Sequence, residues 1–168
     1  MLPRLQRVAT AIDAFKNTGK RVVATGMAYN QSAIFLAATA DEILMNPQGM
    51  AAPEGYSMYR TYYKTLLENF DVTINLFKVG KYKSAVEPFF RDNMSEEDKE
   101  ARMGILNNWW ETYIAELEAA RNLPAGAIVA SLQDPPGLLR EANGNLAQLA
   151  VTSGLVDRLA TNDEQRAF

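Results

Sequence analysis

The sequence predicts an α/β fold with a parallel sheet. Short apolar strand-like runs alternate with segments of helical period, and glycine, proline and asparagine separate them. Leu5, Val8, Ile12 and Phe15 recur at three-and-four spacing, which predicts a first helix closed by Gly19. Arg21-Val22-Val23-Ala24-Thr25 reads as a short buried strand. The stretch from Ser32 to Ala40 is apolar nearly all round and reads as a buried helix. Glu42-Ile43-Leu44-Met45 is the next strand, ended by Asn46-Pro47. Met58, Tyr62, Leu66 and Phe70 mark a further helix, and Ile74 to Val79 alternates as a half-buried strand. Ser95-Glu96-Glu97-Asp98 predicts a capping box that opens the longest helix. Its apolar stripe is Leu106, Trp109, Trp110, Tyr113, Ile114 and Leu117. Asp134 to Asn145, with Pro135-Pro136-Gly137, reads as a linker. Asn145 caps a short helix through Val151, and Leu155-Val156-Asp157 reads as a last small strand.

The chain has 168 residues, enough for one globular domain over 1–168. Apolar residues make up 48% and charged residues 22%, ordinary values for a folded domain. A net charge of −3 with no basic run argues against a nucleic-acid surface or an anionic membrane surface. No run reaches membrane-spanning length and no signal peptide opens the chain, so the chain itself is expected to be soluble. It contains neither histidine nor cysteine. The usual general base and the usual thiol nucleophile are both missing. Acid–base chemistry near neutral pH therefore falls to a lysine of lowered pKa or a carboxylate of raised pKa.

Candidates for such chemistry cluster after Val79. Gly80 ends the alternating run, and Lys81 and Lys83 follow at a strand end. In an extended segment the two lysines share a face, and spacing alone does not separate them or distinguish either from a solvated lysine. Glu87, before Pro88, reads as an orienting group for Lys83, a surface carboxylate or a cap. Trp109, Trp110 and Tyr113 read as core or interface ahead of a peptide groove. Asp41-Glu42 and Glu96-Glu97-Asp98 lack histidine partners and are explained by solvation and the helix dipole, so no metal is expected. Gly80 and Gly49 are isolated, so no phosphate loop and no cofactor are expected.

The segment Gly80-Lys81-Tyr82-Lys83-Ser84-Ala85-Val86-Glu87-Pro88-Phe89, followed by Arg91-Asp92-Asn93-Met94-Ser95, resembles the lysine-bearing segment of the signal peptide peptidase A (protease IV) family. Tyr29 to Ala37, Ala40 to Ile43, Asn46 to Gly49 and Tyr62-Tyr63-Lys64-Thr65-Leu66-Leu67 resemble further segments of that family. The resemblance implies a Clp protease/crotonase-like spiral of ββα units, truncated here at its N-terminal end. It implies a Ser–Lys dyad whose general base falls on Lys83, and a peptide substrate. By the same resemblance the longer protein is a homo-oligomer, a tetramer, at the periplasmic face of a bacterial inner membrane, and this chain is part of a longer precursor.

One departure stands out. Where single-domain members of the family read Ser-Gly-Gly, with the nucleophilic serine first, this chain reads Gln31-Ser32-Ala33. Tandem members carry the same substitution in their first half and keep the serine in the second. The chain therefore resembles a first half, and its serine-bearing partner is expected on a second half of the same protein. Ser32 lies one residue off and lacks the Gly-Gly that lets a backbone approach an oxyanion. An ordinary lysine, of pKa about 10.4, is neutral in roughly one molecule in 2,500 at pH 7. Making half of it neutral requires about 4–5 kcal/mol of differential destabilisation, which burial in a dry cleft supplies. Two other classes stay open from sequence: a crotonase-like binding or scaffold domain without chemistry, supported by Gln31, and an acyl-CoA-handling enzyme, which would need paired backbone amides that no Gly-Gly signature provides.

Overall fold

A computed structural model describes residues 2–75 and 84–168. They group into two compact units: Met1–Gly55 with Glu111–Phe168, and Tyr56–Trp110.

The first unit is a mixed α/β structure around a small parallel sheet. Its helices are α1 (Leu2–Lys16), α2 (Gln31–Ala37), α5 (Ala127–Ser131), α6 (Pro135–Glu141), α7 (Leu146–Thr152) and α8 (Asn162–Arg166). Its strands β1 (Val23–Gly26), β2 (Glu42–Met45) and β3 (Arg158–Leu159) lie in the order β1-β2-β3. Val23 pairs with Glu42 and Gly26 with Met45, while Leu44 pairs with Arg158 and Met45 with Leu159. Ile43, Leu44 and Met45 are each 0% exposed, as a continuous apolar strand between two parallel neighbours must be. The second unit holds α3 (Lys64–Asn69), a 3-10 turn at Glu87–Phe89 and the opening turns of α4 (Glu96–Ala120), whose closing turns belong to the first unit.

The α/β class and the parallel pairing match the sequence reading, and several boundaries move. β1 starts at Val23 because Val22 is engaged by Asp41: its N–H donates to Oδ2 at 2.8 Å and its carbonyl accepts the Asp41 N–H at 2.8 Å. α2 stops at Ala37, where Thr39 Oγ1 turns back to the Leu36 carbonyl. The predicted helix through Met58 and Tyr62 is absent. Only Lys64–Asn69 is helical, and Leu66 and Phe70 of the periodic set are 52% and 72% exposed. Arg60 instead reaches the Ala85 carbonyl, and the Tyr63 N–H donates to the Pro88 carbonyl. The expected linker at Asp134–Asn145 contains α6. Asp134 caps it by accepting the Gly137 N–H, and Pro135 fits the first turn, where its missing N–H costs nothing. The last strand lies three residues later than expected, because Gly154 (φ +74) turns the chain out of α7 and the Val156 N–H folds back to the Ala150 carbonyl. Ile74 and Asn75 form no strand, and the rest of that predicted strand lies outside the described residues.

Asp157 ties the sheet to Arg121, the residue that follows α4. Its Oδ2 accepts the Ile43 N–H at 2.7 Å, and Arg121 Nη2 donates to Oδ1 at 2.5 Å. Burial works to raise the Asp157 pKa. The Arg121 hydrogen bond, the Ile43 N–H and the Arg121 charge outweigh it and hold the carboxyl below the usual range. A carboxyl depressed on folding adds stability that is complete above its unfolded pKa, about 3.9, and is lost as pH falls through the folded value. The urea midpoint should therefore drop on acidification below about pH 4. Asp157→Asn should lower the midpoint at pH 7 and flatten that decline. Parallel pH profiles for the two proteins would contradict the assignment.

Candidate functional site

Lys83 and Lys81 lie outside the described residues. The segment that follows them is held by buried carboxylates of the second unit. Ser84 Oγ donates to Asp98 Oδ1 at 2.6 Å, and Arg60 Nη2 donates to the Ala85 carbonyl at 2.8 Å. Asp98 sits on the first turn of α4, is 5% exposed, and also takes Arg102 Nε at 2.7 Å and Arg60 Nη1 at 3.5 Å. Burial raises its pKa, but hydrogen bonds from Arg102 and Ser84 and the charges of both arginines prevail, so it stays ionised well below the usual range. Arg102 also contacts the Met58 sulfur.

Glu87 is 1% exposed, so it is no surface carboxylate, and its bonds to Ser95 fit its reading as a cap. Its two oxygens take the Ser95 hydroxyl at 2.6 Å and the Ser95 N–H at 3.2 Å. Ser95 Oγ in turn accepts the Asp98 N–H at 3.2 Å. The capping box is thus completed from eight residues upstream, and Asp98, the acid that sequence assigns to it, is released for Ser84 and the arginines. The Tyr62–Leu67 segment meets the lysine segment here too. Asp92 Oδ1 accepts the Thr65 hydroxyl at 2.7 Å and its N–H at 3.1 Å, which lowers the Asp92 pKa. Tyr63 stacks on Phe89 with ring centroids 6.2 Å apart. The Tyr62 hydroxyl is buried with no hydrogen-bond partner among the described residues.

In the first unit, the place of the expected nucleophile is the start of α2. Asn30 caps the helix by accepting the Ala33 N–H at 2.9 Å. Gln31 Oε1 accepts two successive N–H groups, Glu54 at 2.9 Å and Gly55 at 2.8 Å. The Gln31 carbonyl accepts the Tyr113 hydroxyl at 2.8 Å. Ser32 is half-buried on the first turn. Tyr29 donates its hydroxyl to the Leu44 carbonyl at 2.8 Å, and burial pushes its pKa up to about 12. That phenol is neutral at pH 7 and cannot serve as a base there. Gly49 lies so close that a Cβ on it would stand 2.0 Å from the Met27 carbonyl oxygen. Beside this place runs a groove of about 410 Å³ lined by Ala51, Pro53, Leu132, Leu138, Leu149 and Leu155.

Tyr113 is fully buried and stacks on Phe35 at 5.3 Å, so it belongs to the core. In the second unit Trp109 and Trp110 each meet the Tyr56 ring edge-on. Asp41 pairs with Lys16, and Glu42 with Arg21 and Arg158. No group of side chains suited to a metal ion occurs among the described residues. Among those residues no helix is long and apolar enough to cross a membrane. Sequence reasoning missed the Asp98–Ser84–Arg60 cluster. Its partners are too far apart in the chain to form a motif, and the only signal was a first-turn acid already explained as a cap.

Residues 14–167 match the family model described as peptidase family S49, and the chain belongs to that family. It is 35% identical over 99% of its length to Protease 4 of Salmonella typhi and 36% identical over 95% to Protease 4 of Haemophilus influenzae. The family resemblance drawn from the lysine segment is therefore borne out. The chain spans 27% and 26% of the lengths of these relatives.

Removing the buried Glu87 carboxylate takes the acceptor from both the Ser95 hydroxyl and the Ser95 N–H. Glu87→Ala should cost about 2–3 kcal/mol in urea unfolding, and Glu87→Gln, which keeps one oxygen, should cost less. A loss within measurement error for Glu87→Ala would remove the capping role.

Proposed function

We propose that this chain is the base-donating half of a peptidase with a Ser–Lys dyad. Lys83 is the general base, and the serine lies on a second half of the same protein. The observation that carries the reading is Gln31. It stands where the family's nucleophile is expected, and its side-chain oxygen is spent on Glu54 and Gly55. Membership of a peptidase family supplies the reaction class, and the short coverage of both relatives is consistent with a further catalytic half. Supporting the Lys83 assignment, the residue after it, Ser84, is held by its hydroxyl to the Asp98 carboxylate. A fixed flank lets the chain aim an amine, and desolvation in a closed cleft then lowers its pKa toward neutrality. The neutral amine takes the proton of the serine hydroxyl as the oxygen attacks the peptide carbonyl, and returns it to the leaving amine.

The same proposal takes residues 1–168 as one domain of a Clp/crotonase-like spiral, for which the parallel β1-β2-β3 order gives support. It places the longer protein, as a homo-oligomer, at the periplasmic face of a bacterial inner membrane, where it degrades cleaved signal peptides or other apolar peptides. Gln31 also favours a second reading, a domain that binds or scaffolds without chemistry. A serine-reactive probe on the longer protein separates the two, since only a peptidase is labelled and inhibited.

The 168-residue chain alone should hydrolyse no peptide substrate. Hydrolysis abolished by Ser32→Ala would overturn the half-site reading. In the longer protein, Lys83→Ala should reduce kcat by several orders of magnitude with the fold intact, because the hydroxyl loses its base. Lys81→Ala should cost far less. Full activity of the Lys83→Ala protein would exclude the assignment.

A further inference from the structure

We infer that Gln31 is a positioning residue whose amide carbonyl clamps the Ala51–Gly55 segment to the start of α2. This goes beyond the absence of a nucleophile, because it gives the substituted residue work of its own. Its Oε1 receives two consecutive backbone N–H groups at 2.9 and 2.8 Å. Only an oxygen can accept both, which fixes the orientation of the amide. Gly55, at φ +87, is in the left-handed region, so the chain turns directly after the second of these N–H groups. The Gln31 main chain is held from another direction by the fully buried Tyr113, whose hydroxyl donates to its carbonyl. Two residues earlier, the Tyr29 N–H donates to the Met50 carbonyl, and Tyr29 forms a parallel bridge with Ala51. The segment is therefore fastened at both ends, by Tyr29 near Ala51 and by Gln31 at Glu54 and Gly55.

Two consequences follow from side-chain length. A serine hydroxyl at position 31 ends too near the backbone to reach the two amides, so a nucleophile and this clamp exclude one another. Ala51, Ala52 and Pro53 also form one wall of the apolar groove, so the clamp sets that wall.

Amide exchange by NMR on the 168-residue chain tests the clamp through four proteins: the unaltered chain, Gln31→Ser, Gln31→Met and Gln31→Glu. Methionine keeps the length without the acceptor, and glutamate keeps both. The Glu54 and Gly55 amides should exchange about tenfold faster in Gln31→Ser and Gln31→Met, as expected for one lost hydrogen bond each, with the β2 amides unchanged. Their proton resonances should move upfield in the same two variants. Gln31→Glu should restore protection and shifts. If Gln31→Met fails to fold while Gln31→Glu folds with both amides protected, the acceptor is still shown to be required. Unchanged exchange in Gln31→Met, or equal loss in Gln31→Met and Gln31→Glu, would overturn the inference.

Discussion

The constraint on which the first unit depends is the complete burial of β2. Ile43, Leu44 and Met45 have no contact with water. Burying three such side chains is worth about 1.5–3 kcal/mol each, and it obliges every backbone group of the strand to find a partner in the protein. β1 supplies partners on one edge and β3 on the other. Where the ladder runs out, side chains take over: Asp157 receives the Ile43 N–H and the Tyr29 hydroxyl donates to the Leu44 carbonyl. The residues around the start of α2 are thus placed as a by-product of satisfying a dry strand. Tyr29 serves both purposes, facing the sheet with its phenol and the Met50 segment with its N–H.

The second unit is organised differently, around carboxylates that sequence reading assigned to solvent or to capping. Asp98 and Glu87 are nearly inaccessible. Each is repaid by several donors, as burial of a charge requires. Asp98 gathers Ser84, Arg102 and Arg60, while Glu87 gathers both donors of Ser95. The Ser95–Asp98 pattern was correctly read as a helix start. What could not be read was which acid completes the box, since a local pattern names the acid three residues on and the chain uses one eight residues back.

The same distinction explains how much of the fold was readable. β2 was located to the residue, since an apolar strand bounded by Asn46-Pro47 carries its own signal. α1, α7 and the opening of α4 followed from periodicity and caps. Of the helix expected from Met58 to Phe70 only Lys64–Asn69 forms, since Arg60 and Tyr63 before it are committed to Ala85 and Pro88. α6 was hidden by Pro135-Pro136-Gly137, which reads as a break unless Asp134 is recognised as a cap. At the candidate site, the resemblance singled out Gln31 as a departure from Ser-Gly-Gly, but that departure says nothing about what the glutamine's amide holds. That depends on Glu54 and Gly55, whose N–H groups leave no trace in side-chain identity.

The first unit is discontinuous, since its chain departs at Gly55 and returns at Glu111. Ile43 and Asp157, which share a hydrogen bond at the centre of the unit, are separated by 114 positions. On a ribosome adding about 5–20 residues per second, β2 waits on the order of ten seconds before the strand that covers its second edge is synthesised. Until then its apolar side chains and an unpaired backbone edge lack their cover, the combination most prone to wrong pairing. The sheet can close only when the last part of the chain has been made, however stable the finished unit is.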